Sequence, residues 1–520
     1  MNPQGPVGME LSPPPSGLEA EYETLFTTDS LQFLHELIST FDEEVDEVLR
    51  LRVSRKAYLD LSGELPNFVE CTTSIRKDPD WRVLPVPPRL QRRHVDIGDL
   101  APCDTEHFIK GLQSPAQGIQ VDFDDGNCPT YRNQVKGIHN VLKAVHNQFP
   151  NVPHISQAPV LMLRPRAWNM VEHNMMVEGK EAPGPLFDFG LLVFHCGKIL
   201  FENKSGPFFY LSKVESMVEG RLWNKIFVWT EQKLGLPLGC IKATVLIENV
   251  LAFGKLNIQS FLLPDRSKYV NMEKRFLRSY MDLLVQTCHR RGALATGGMA
   301  ALLLPKNPLS DSHKKVLATV TRLKLLEIMA GVDGFMVYDL NLIEPMQKLF
   351  KLHTQSDNQL HQLRNDVAVT ADDLLSMPSG GVTLYGLKYN IAVGLLFINA
   401  WLSGKGHFFY RGQVEDSATA EISRSQVWQW IRHQTQIEDD GRVVSRGLVT
   451  NLTREVLMEL RAHCSVSRLH TAADMFLEVV FKRNFPEFIT SYLNQDHTFL
   501  SSQNCGEVDV VDSDMLQSKL

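Results

Sequence analysis

Hydrophobic and polar residues alternate along this chain with two different periods. Between residues 30 and 61, apolar positions recur every three to four residues among acidic and basic ones, which predicts one long amphipathic helix. The apolar positions of this helix are Leu31, Phe33, Leu34, Leu37, Ile38, Phe41, Val45, Val48 and Leu49. A connector with prolines at Pro85, Pro87 and Pro88 follows it.

After the connector, short apolar runs alternate with helical stretches. The runs with the character of buried strands are residues 118–123, 159–163, 207–211, 242–247, 293–296 and 334–337. Alternation of strand and helix indicates a parallel sheet, and polar strand ends favour a (β/α)8 barrel. From Val369 onward the pattern is helical, with amphipathic stretches at residues 371–376, 390–402, 419–433 and 450–463.

These patterns predict an α/β fold, a (β/α)8 TIM barrel between an N-terminal helical clasp and a C-terminal helical domain. Residues 1–20 contain Pro13–Pro14–Pro15 and scattered glycines, which is typical of a disordered leader. The predicted order is leader 1–20, clasp 21–95, barrel 96–365, helical domain 366–490 and tail 491–520.

Composition excludes several classes of function. The chain has 520 residues, 43% of them hydrophobic, and can bury a large core. A net charge of -7 gives no support to a nucleic-acid-binding face. The eight cysteines include no Cys-x-x-Cys pair, which argues against a zinc ribbon or a redox motif. The apolar runs near residues 186–194 and 394–402 are shorter than the roughly 20 residues of a membrane span, so we expect none.

The chain ends in the tripeptide Ser518–Lys519–Leu520, which peroxisomal import receptors read. An acidic tail with little capacity to pack precedes it, at residues 506–517. We therefore expect binding to the import receptor and a peroxisomal location.

Candidate chemistry lies at the predicted strand ends. The charged strings there are Asp122–Phe123–Asp124–Asp125, Arg164–Pro165–Arg166, Ser212–Lys213–Val214–Glu215 and Glu248. Each has an ordinary alternative, because aspartates also cap helices and arginines also form structural ion pairs. Together they predict an active-site mouth lined by acids and bases. Gly297, Gly298 and Met299 follow a further predicted strand, where glycines allow close approach of backbone or form a tight turn.

Several strings together resemble malate synthase, in the shorter form of that family. They are Leu163–Arg164–Pro165–Arg166, Leu186–Phe187–Asp188–Phe189–Gly190, residues 205–211, residues 242–248, residues 288–292, residues 297–301 and residues 415–424. The resemblance covers residues 25–480, nearly the whole chain.

The resemblance implies condensation of acetyl-CoA with glyoxylate and hydrolysis of malyl-CoA to malate and CoA. It implies Asp416 as the general base, Arg164 as the group that stabilises the enolate, and Glu248 as a ligand of Mg²⁺. Asp122, Asp124 and Asp125 match an acidic string near that metal. It also places the Gly297–Gly298–Met299 backbone near the substrate. Asp416 has a second possible role, as a helix cap.

The chain departs from the family pattern after Glu248. The family has there a helix and a Gly-Leu-Asn-Cys-Gly-Arg-Trp-Asp string, whose aspartate is the second magnesium ligand and whose backbone N–H groups hold glyoxylate. Here only residues 249–263 separate Glu248 from Pro264–Asp265–Arg266. A parallel crossover alone needs about a dozen residues. We therefore predict a gap in the barrel between the strands at 242–247 and 293–296, which residues 256–263 could fill only as a makeshift strand.

A second departure concerns Met336, Asp339 and Leu340, where the family has a tryptophan and then His-Pro near the CoA site. Three hypotheses follow from the two departures. The chain is an active malate synthase that uses Asp124 and Asp125 as substitute metal ligands. Alternatively, it is a splice or gene-model variant that lacks a segment. The third is a non-enzymatic peroxisomal protein that retains the fold as a binding module.

Overall fold

The computed structural model describes residues 5–64, 67–247, 264–271, 273–461, 468–486 and 488–494. The predicted metal ligand Glu248, the proposed makeshift strand at 256–263 and the terminal tripeptide 518–520 lie outside these ranges.

The helices of the described residues run along the whole chain. In order they are α1 (Glu19–Leu25), α2 (Thr28–Ser62), α3 (Thr73–Lys77), α4 (Thr105–Gln113), α5 (Tyr131–Val145), α6 (Gly184–Glu202), α7 (Met217–Leu234), α8 (Arg266–Tyr269), α9 (Arg275–Arg290), α10 (Asp311–Ala330), α11 (Ile343–His353), α12 (Ala371–Leu374), α13 (Leu384–Leu402), α14 (Ser417–Arg432), α15 (Arg446–Arg461), α16 (Leu469–Phe481) and α17 (Ile489–Asn494). Short 3₁₀ turns lie at Glu70–Thr72, Pro88–Leu90 and Leu340–Leu342.

The strands form three sheets. In chain order they are β1 (Met9–Leu11), β2 (Val95–Leu100), β3 (Gly118–Asp122), β4 (Val160–Arg164), β5 (Val171–Val177), β6 (Lys180–Pro183), β7 (Phe208–Leu211), β8 (Lys242–Val245), β9 (Thr296–Ala300), β10 (Gly334–Val337), β11 (Phe408–Tyr410) and β12 (Gln413–Glu415). The seven-stranded sheet has the order β8-β7-β4-β3-β2-β10-β9, and all its pairs are parallel. The small sheets are β1-β5-β6 and the hairpin β11-β12.

The seven-stranded sheet curls into an open barrel. Among the described residues no strand joins β8 to β9, so these two strands are its edges. The predicted gap is therefore confirmed for this part of the chain. A cavity of about 670 Å³ borders both edges and is lined by residues of β8, by Tyr210, Gly297, Gly298 and Met336. The 15 residues at 249–263 are fewer than a usual crossover and a strand need together.

The long helix α2 confirms the prediction for residues 30–61. It begins after Thr27, whose side chain accepts a hydrogen bond from the Ser30 N–H, and it ends at Gly63, whose φ of 66° suits a glycine. Its buried apolar residues, among them Leu34 and Leu37, pack against α6 and α7. The N-terminal helix thereby covers one flank of the barrel.

Helix α6 lies in the core between α2 and α5. Within the described ranges it is the one helix long and apolar enough to cross a membrane by composition, and 72% of its apolar window is buried inside the protein. Its apolar surface is thus used for packing. The apolar run at residues 186–194 is a part of this helix.

The sequence analysis needs correction at three points. The leader is not disordered from Met9 to Leu11, because this segment pairs with β5 and so gains partners for its backbone. Strand β2 was not predicted, since its two aspartates and a glycine interrupt the apolar run. The predicted strand at 293–296 begins instead at Thr296 and runs through the glycines to Ala300.

The C-terminal helices α13 to α16 form a second hydrophobic core around Phe397, Trp401 and Trp430. The hairpin β11-β12 leads from α13 into α14. An isolated bridge between Leu302 and Gln413 and a hydrogen bond from the Val414 N–H to the Ala301 carbonyl join this hairpin to the chain after β9. The start of α14 is thereby held against the barrel.

Candidate active site

The polar ends of four neighbouring strands meet at one edge of the barrel sheet. Asp99 belongs to β2, Asp122 ends β3, Arg164 ends β4, and Lys213 follows β7. Strands β3 and β4 pair in register, so that Asp122 lies directly opposite Arg164. The carboxyl ends of parallel barrel strands carry the chemistry in this architecture, and the predicted acid-and-base-lined mouth is formed here.

Asp122 accepts three hydrogen bonds. Its Oδ1 accepts a hydrogen bond from the Asp124 N–H at 2.7 Å, and its Oδ2 accepts one from the Gly126 N–H at 2.9 Å. Arg164 Nη1 donates to the same Oδ2 at 3.0 Å. Burial, only partly offset by Arg164, raises the pKa of Asp122 to about 6. The two bonds from backbone N–H groups hold the loop 122–126 at the end of β3.

Two cations hold the next two aspartates. Arg164 Nη2 donates to Asp124 Oδ2 at 3.2 Å and also to Asp125. Lys213 Nζ lies between the same carboxylates, 2.5 Å from Asp124 Oδ2 and 2.7 Å from Asp125 Oδ1. Burial alone would raise the pKa of Asp125, but Lys213 and Arg164 hold it below its usual value. All four side chains are buried, and the ion pairs between them hold the cluster together.

Asp416 approaches the cluster from the C-terminal helices. It is the N-cap of α14 and its Oδ1 accepts a hydrogen bond from the Thr419 N–H at 3.1 Å, while the Thr419 hydroxyl accepts from the Asp416 N–H. The next residue, Ser417, donates its hydroxyl proton to Asp125. Burial, and then the charge of Asp125, raise the pKa of Asp416. The predicted capping role is thus present, and the same carboxyl group is half-buried at the cluster.

The described side chains do not form a magnesium site. No group of three His, Cys, Asp or Glu residues suited to a metal ion occurs among them. The Asp124 and Asp125 oxygens already accept hydrogen bonds from Arg164, Lys213 and Ser417. The hypothesis that these aspartates coordinate the metal directly stays a prediction. Glu248 lies outside the described residues.

Two further predictions have different outcomes. Gly297, Gly298 and Met299 lie inside strand β9 rather than in a loop beyond it, and a Cβ on Gly297 would come within 1.9 Å of Glu327 Oε2. Gly297 has no Cβ and therefore leaves room for the Glu327 side chain. Arg166 is buried and bonds to both oxygens of Asp188, so it is a structural ion pair.

Sequence reasoning missed Asp99 and Ser417, and it gave Lys213 no role. Asp99 could have been found through β2, since Val95, Ile97 and Leu100 are apolar and follow the proline-rich connector. Ser417 directly follows the predicted base and carries no signal of its own.

Two family models match this chain, one in the barrel and one in the C-terminal helices. A family model described as "Malate synthase, TIM barrel domain" matches residues 160–258 and 255–377, and "Malate synthase, C-terminal" matches residues 381–496. The chain belongs to the malate synthase family. The barrel match breaks into two parts at residues 255–258, inside the short stretch after Glu248.

Curated relatives support membership over most of the chain. A malate synthase of Myxococcus xanthus is 36% identical over 90% of this chain and 93% of its own length. The glyoxysomal malate synthase of Glycine max is 34% identical over 81% of this chain and 82% of its own. Among solved structures, the pyruvate/acetyl-CoA ternary complex of Haloferax volcanii malate synthase covers 74% of this chain and 98% of its own, at 12% identity and a TM-score of 0.37.

Proposed function

We propose that this chain condenses acetyl-CoA with glyoxylate and hydrolyses the product to malate and CoA, as its family name indicates. The observation that carries the proposal is the position of Asp416. This carboxyl group caps α14, lies half-buried beside the cluster of Arg164 and Asp125, and has a raised pKa. A positioned carboxylate whose pKa lies nearer to neutrality is a suitable general base.

In this reaction the Asp416 carboxylate removes a proton from the methyl group of acetyl-CoA. The enolate carbon then forms a bond to the aldehyde carbon of glyoxylate, and water cleaves the thioester of malyl-CoA to give malate and the CoA thiol. Arg164 is our candidate for stabilising the enolate oxygen. Because the aspartates around it fix its guanidinium, its charge needs no reorganisation when the enolate forms.

We assign acetyl-CoA to a cavity of about 580 Å³ beside this cluster. Gly126 and Asn127 of the loop after β3 line it, together with His407 and the flanking Lys136 and Lys405. Lysines on the cavity lining are suited to the phosphates of CoA. Replacing both lysines by alanine should raise KM for acetyl-CoA and leave kcat within about twofold, which is the signature of lost ground-state binding. Unchanged KM would contradict this assignment.

Magnesium is the cofactor that the family resemblance implies, and it would supply Lewis-acid polarisation of the aldehyde. Glu248 is the one ligand that the resemblance retains after the lost segment, and a single carboxylate with waters binds this ion weakly. We therefore expect millimolar rather than micromolar affinity in calorimetric titration, and no heat above dilution in Glu248→Gln. Micromolar affinity, or equal binding by both proteins, would contradict this expectation.

The decisive experiment measures two activities of the full chain. The first is CoA release from acetyl-CoA with glyoxylate and magnesium, and the second is exchange of the acetyl protons with deuterated water when glyoxylate is absent. Asp416→Asn should lower both by about 10²–10⁴-fold, because the amide keeps the helix cap and loses the base. Asp373→Asn, at a capping box of α12, is the matched control and should retain both activities.

The outcomes separate the two halves of the reaction. Exchange without CoA release would indicate a working base and a failed glyoxylate site. Absence of both activities in the unaltered chain would reject the proposed function and favour the non-enzymatic alternative.

We also propose import into peroxisomes through Ser518–Lys519–Leu520. The glyoxysomal relative from Glycine max supports this location. A fluorescent fusion at the N-terminus should enter peroxisomes, and removal of the tripeptide should leave it outside. Unchanged distribution after the removal would contradict the proposal.

A further inference from the structure

Helix α2 carries an arginine on its buried apolar side. Val45 and Val48 are buried on this side of the helix, and the next position along it is Arg52. The Arg52 side chain is 4% exposed, whereas its apolar neighbours Leu51 and Val53 are 43% and 65% exposed. Arginine is rarely buried to this extent without a partner, so the groups that it contacts indicate what it does.

The guanidinium group of Arg52 joins α2 to α7. Its Nε donates to Glu219 Oε1 at 2.9 Å and its Nη2 donates to Glu219 Oε2 at 2.8 Å, which is the bidentate geometry of a strong arginine–carboxylate pair. Glu219 belongs to the first turn of α7 and is 1% exposed. The pair is therefore shielded from solvent, and it fixes α2 against the start of α7.

The same two side chains bind the backbone of the loop between β7 and α7. Arg52 Nη2 also donates to the Lys213 carbonyl oxygen at 2.7 Å. Glu219 Oε2 accepts a hydrogen bond from the Glu215 N–H at 3.0 Å. The peptide groups on both sides of Val214 are thus bonded to one buried ion pair.

Lys213 needs this support because of its backbone conformation. Its φ of 51° lies in the left-handed region, which is unfavourable for a residue with a Cβ. Its Nζ lies 2.7 Å from Asp125 Oδ1 and also pairs with Asp124. Asp125 in turn accepts the hydroxyl proton of Ser417, the residue after the proposed base. A continuous series of contacts therefore leads from α2 through Lys213 to the start of α14.

We propose that Arg52 is a positioning residue for the reaction proposed above and acts through Lys213. Together with Glu219 it holds Lys213 in the left-handed conformation that places the ammonium group beside the two aspartates. The N-terminal helix is thereby a part of the support of the active site and not only a cover for the barrel. The effect of Arg52 on turnover rests on the proposed function, whereas its support of the loop does not.

A compensated variant separates support of the loop from general stability. Arg52→Met alone leaves the buried Glu219 charge unpaired and should lower the melting temperature. Arg52→Met combined with Glu219→Met replaces the whole pair by apolar side chains, which should restore the melting temperature. Because the loop has lost both hydrogen bonds, kcat of this double variant should stay about tenfold below that of the unaltered chain. Full recovery of kcat together with the melting temperature would show a merely structural pair and overturn the proposal.

Arg50 provides the matched control on the same helix. Its side chain is 65% exposed and pairs with Glu47 at the surface, so Arg50→Met should leave both kcat and the melting temperature unchanged.

A double-mutant cycle tests whether Arg52 acts through Lys213. Lys213→Met removes the ammonium group that the loop positions. If Arg52 acts through this group, adding the Arg52→Met and Glu219→Met changes to Lys213→Met lowers kcat no further. Effects of the two sites that multiply would mean independent roles and would overturn the proposal.

Backbone amide exchange tests the support of the loop without any turnover. In the double variant the peptide that covers residues 213–219 should exchange with deuterated water about tenfold faster than in the unaltered chain, and in Arg50→Met its rate should be unchanged. If exchange is faster in the double variant and the unaltered chain shows no turnover, the proposed function fails and the support of the loop by Arg52 remains. If exchange is equal in the two variants, the proposal is overturned even where the enzyme is active.

Discussion

The two sides of the open barrel differ sharply although they belong to one sheet. Every residue of β3 and β4 is buried, and five consecutive residue pairs lie in register between them. On the other side, residues of β8 alternate between half-buried and exposed, and Val245 is 43% exposed. Strand β9 contains no fully buried residue. The strands next to the gap therefore lack the packing that the opposite strands have.

The proposed site residues are divided between these two sides. The aspartates, Arg164 and Asp416 are anchored on the closed side and on α14, away from the edges. The expected metal ligand and the glyoxylate cradle belong to the side that is shortened. The chain thus retains the surroundings of the proposed base, whereas its departure from the family pattern falls on the side of the expected metal ligand.

The largest effect is expected from the centre of the closed side. Arg164→Met should lower the free energy of unfolding by about 3–5 kcal/mol, because it leaves buried aspartates without their shared cation. Urea denaturation measures this. The control, Arg442→Met, removes an exposed ion pair with Asp440 and should have no measurable effect. Similar small losses in both proteins would mean that the cluster does not order the closed side.

The next effect depends on pH and concerns Asp122. Its folded pKa of about 6 lies above the value near 4 of an unfolded aspartate, so the folded protein binds the proton more tightly. Its contribution to stability is therefore complete below about pH 4 and is lost as pH rises through 6. The stability difference between the unaltered chain and Asp122→Asn should shrink by about 3 kcal/mol over this range. A difference that grows with pH would contradict the assignment.

A matched pair of valines compares the two sides directly. Val121→Ala in β3 removes two fully buried methyl groups and should cost about 2 kcal/mol. Val245→Ala in β8 changes a side chain that is 43% exposed and should cost no more than about 0.5 kcal/mol. Thermal and urea unfolding of both variants test this. Equal costs would show that the edge is as well packed as the closed side.

The smallest effect tests the packing of β9. Gly297→Ala would bring a Cβ within 1.9 Å of Glu327 Oε2, the far end of a flexible side chain that can move, so we expect a loss of about 1 kcal/mol. A Cβ on Gly298 meets nothing within 4 Å, and Gly298→Ala should be close to neutral. If the two variants behave alike in urea, β9 is loose enough to absorb the clash.

The sequence was informative where one periodicity governs a whole element. The three-to-four spacing of Leu34, Leu37 and Phe41 predicted α2. The short stretch after Glu248 predicted a gap, and the sheet of the described residues is open between β8 and β9. Sequence reasoning failed where tertiary contacts decide. Strand β2 carries Asp96 and Asp99 inward, which resembles a polar loop until the partners Arg93 and Arg164 are known.

The candidate site was predictable to a similar extent. The strand-end position and the family resemblance identified Asp122 and Arg164, and the structure places them opposite each other. The contact between Ser417 and Asp125, which brings the start of α14 to the cluster, joins residues 292 positions apart, so no local pattern could reveal it. The ion pairs of Lys213 with Asp124 and Asp125 join residues 89 and 88 positions apart.

The hydrogen bond from Ser417 to Asp125 spans 292 positions of the chain. Contacts of such long range form late in folding, because the entropy of closing the intervening loop opposes them until both partners are largely folded. On a ribosome, the barrel strands emerge long before residue 417 does. The acidic cluster is therefore assembled first without Asp416, the proposed base, and the proposed site is complete only when synthesis of the chain is nearly finished.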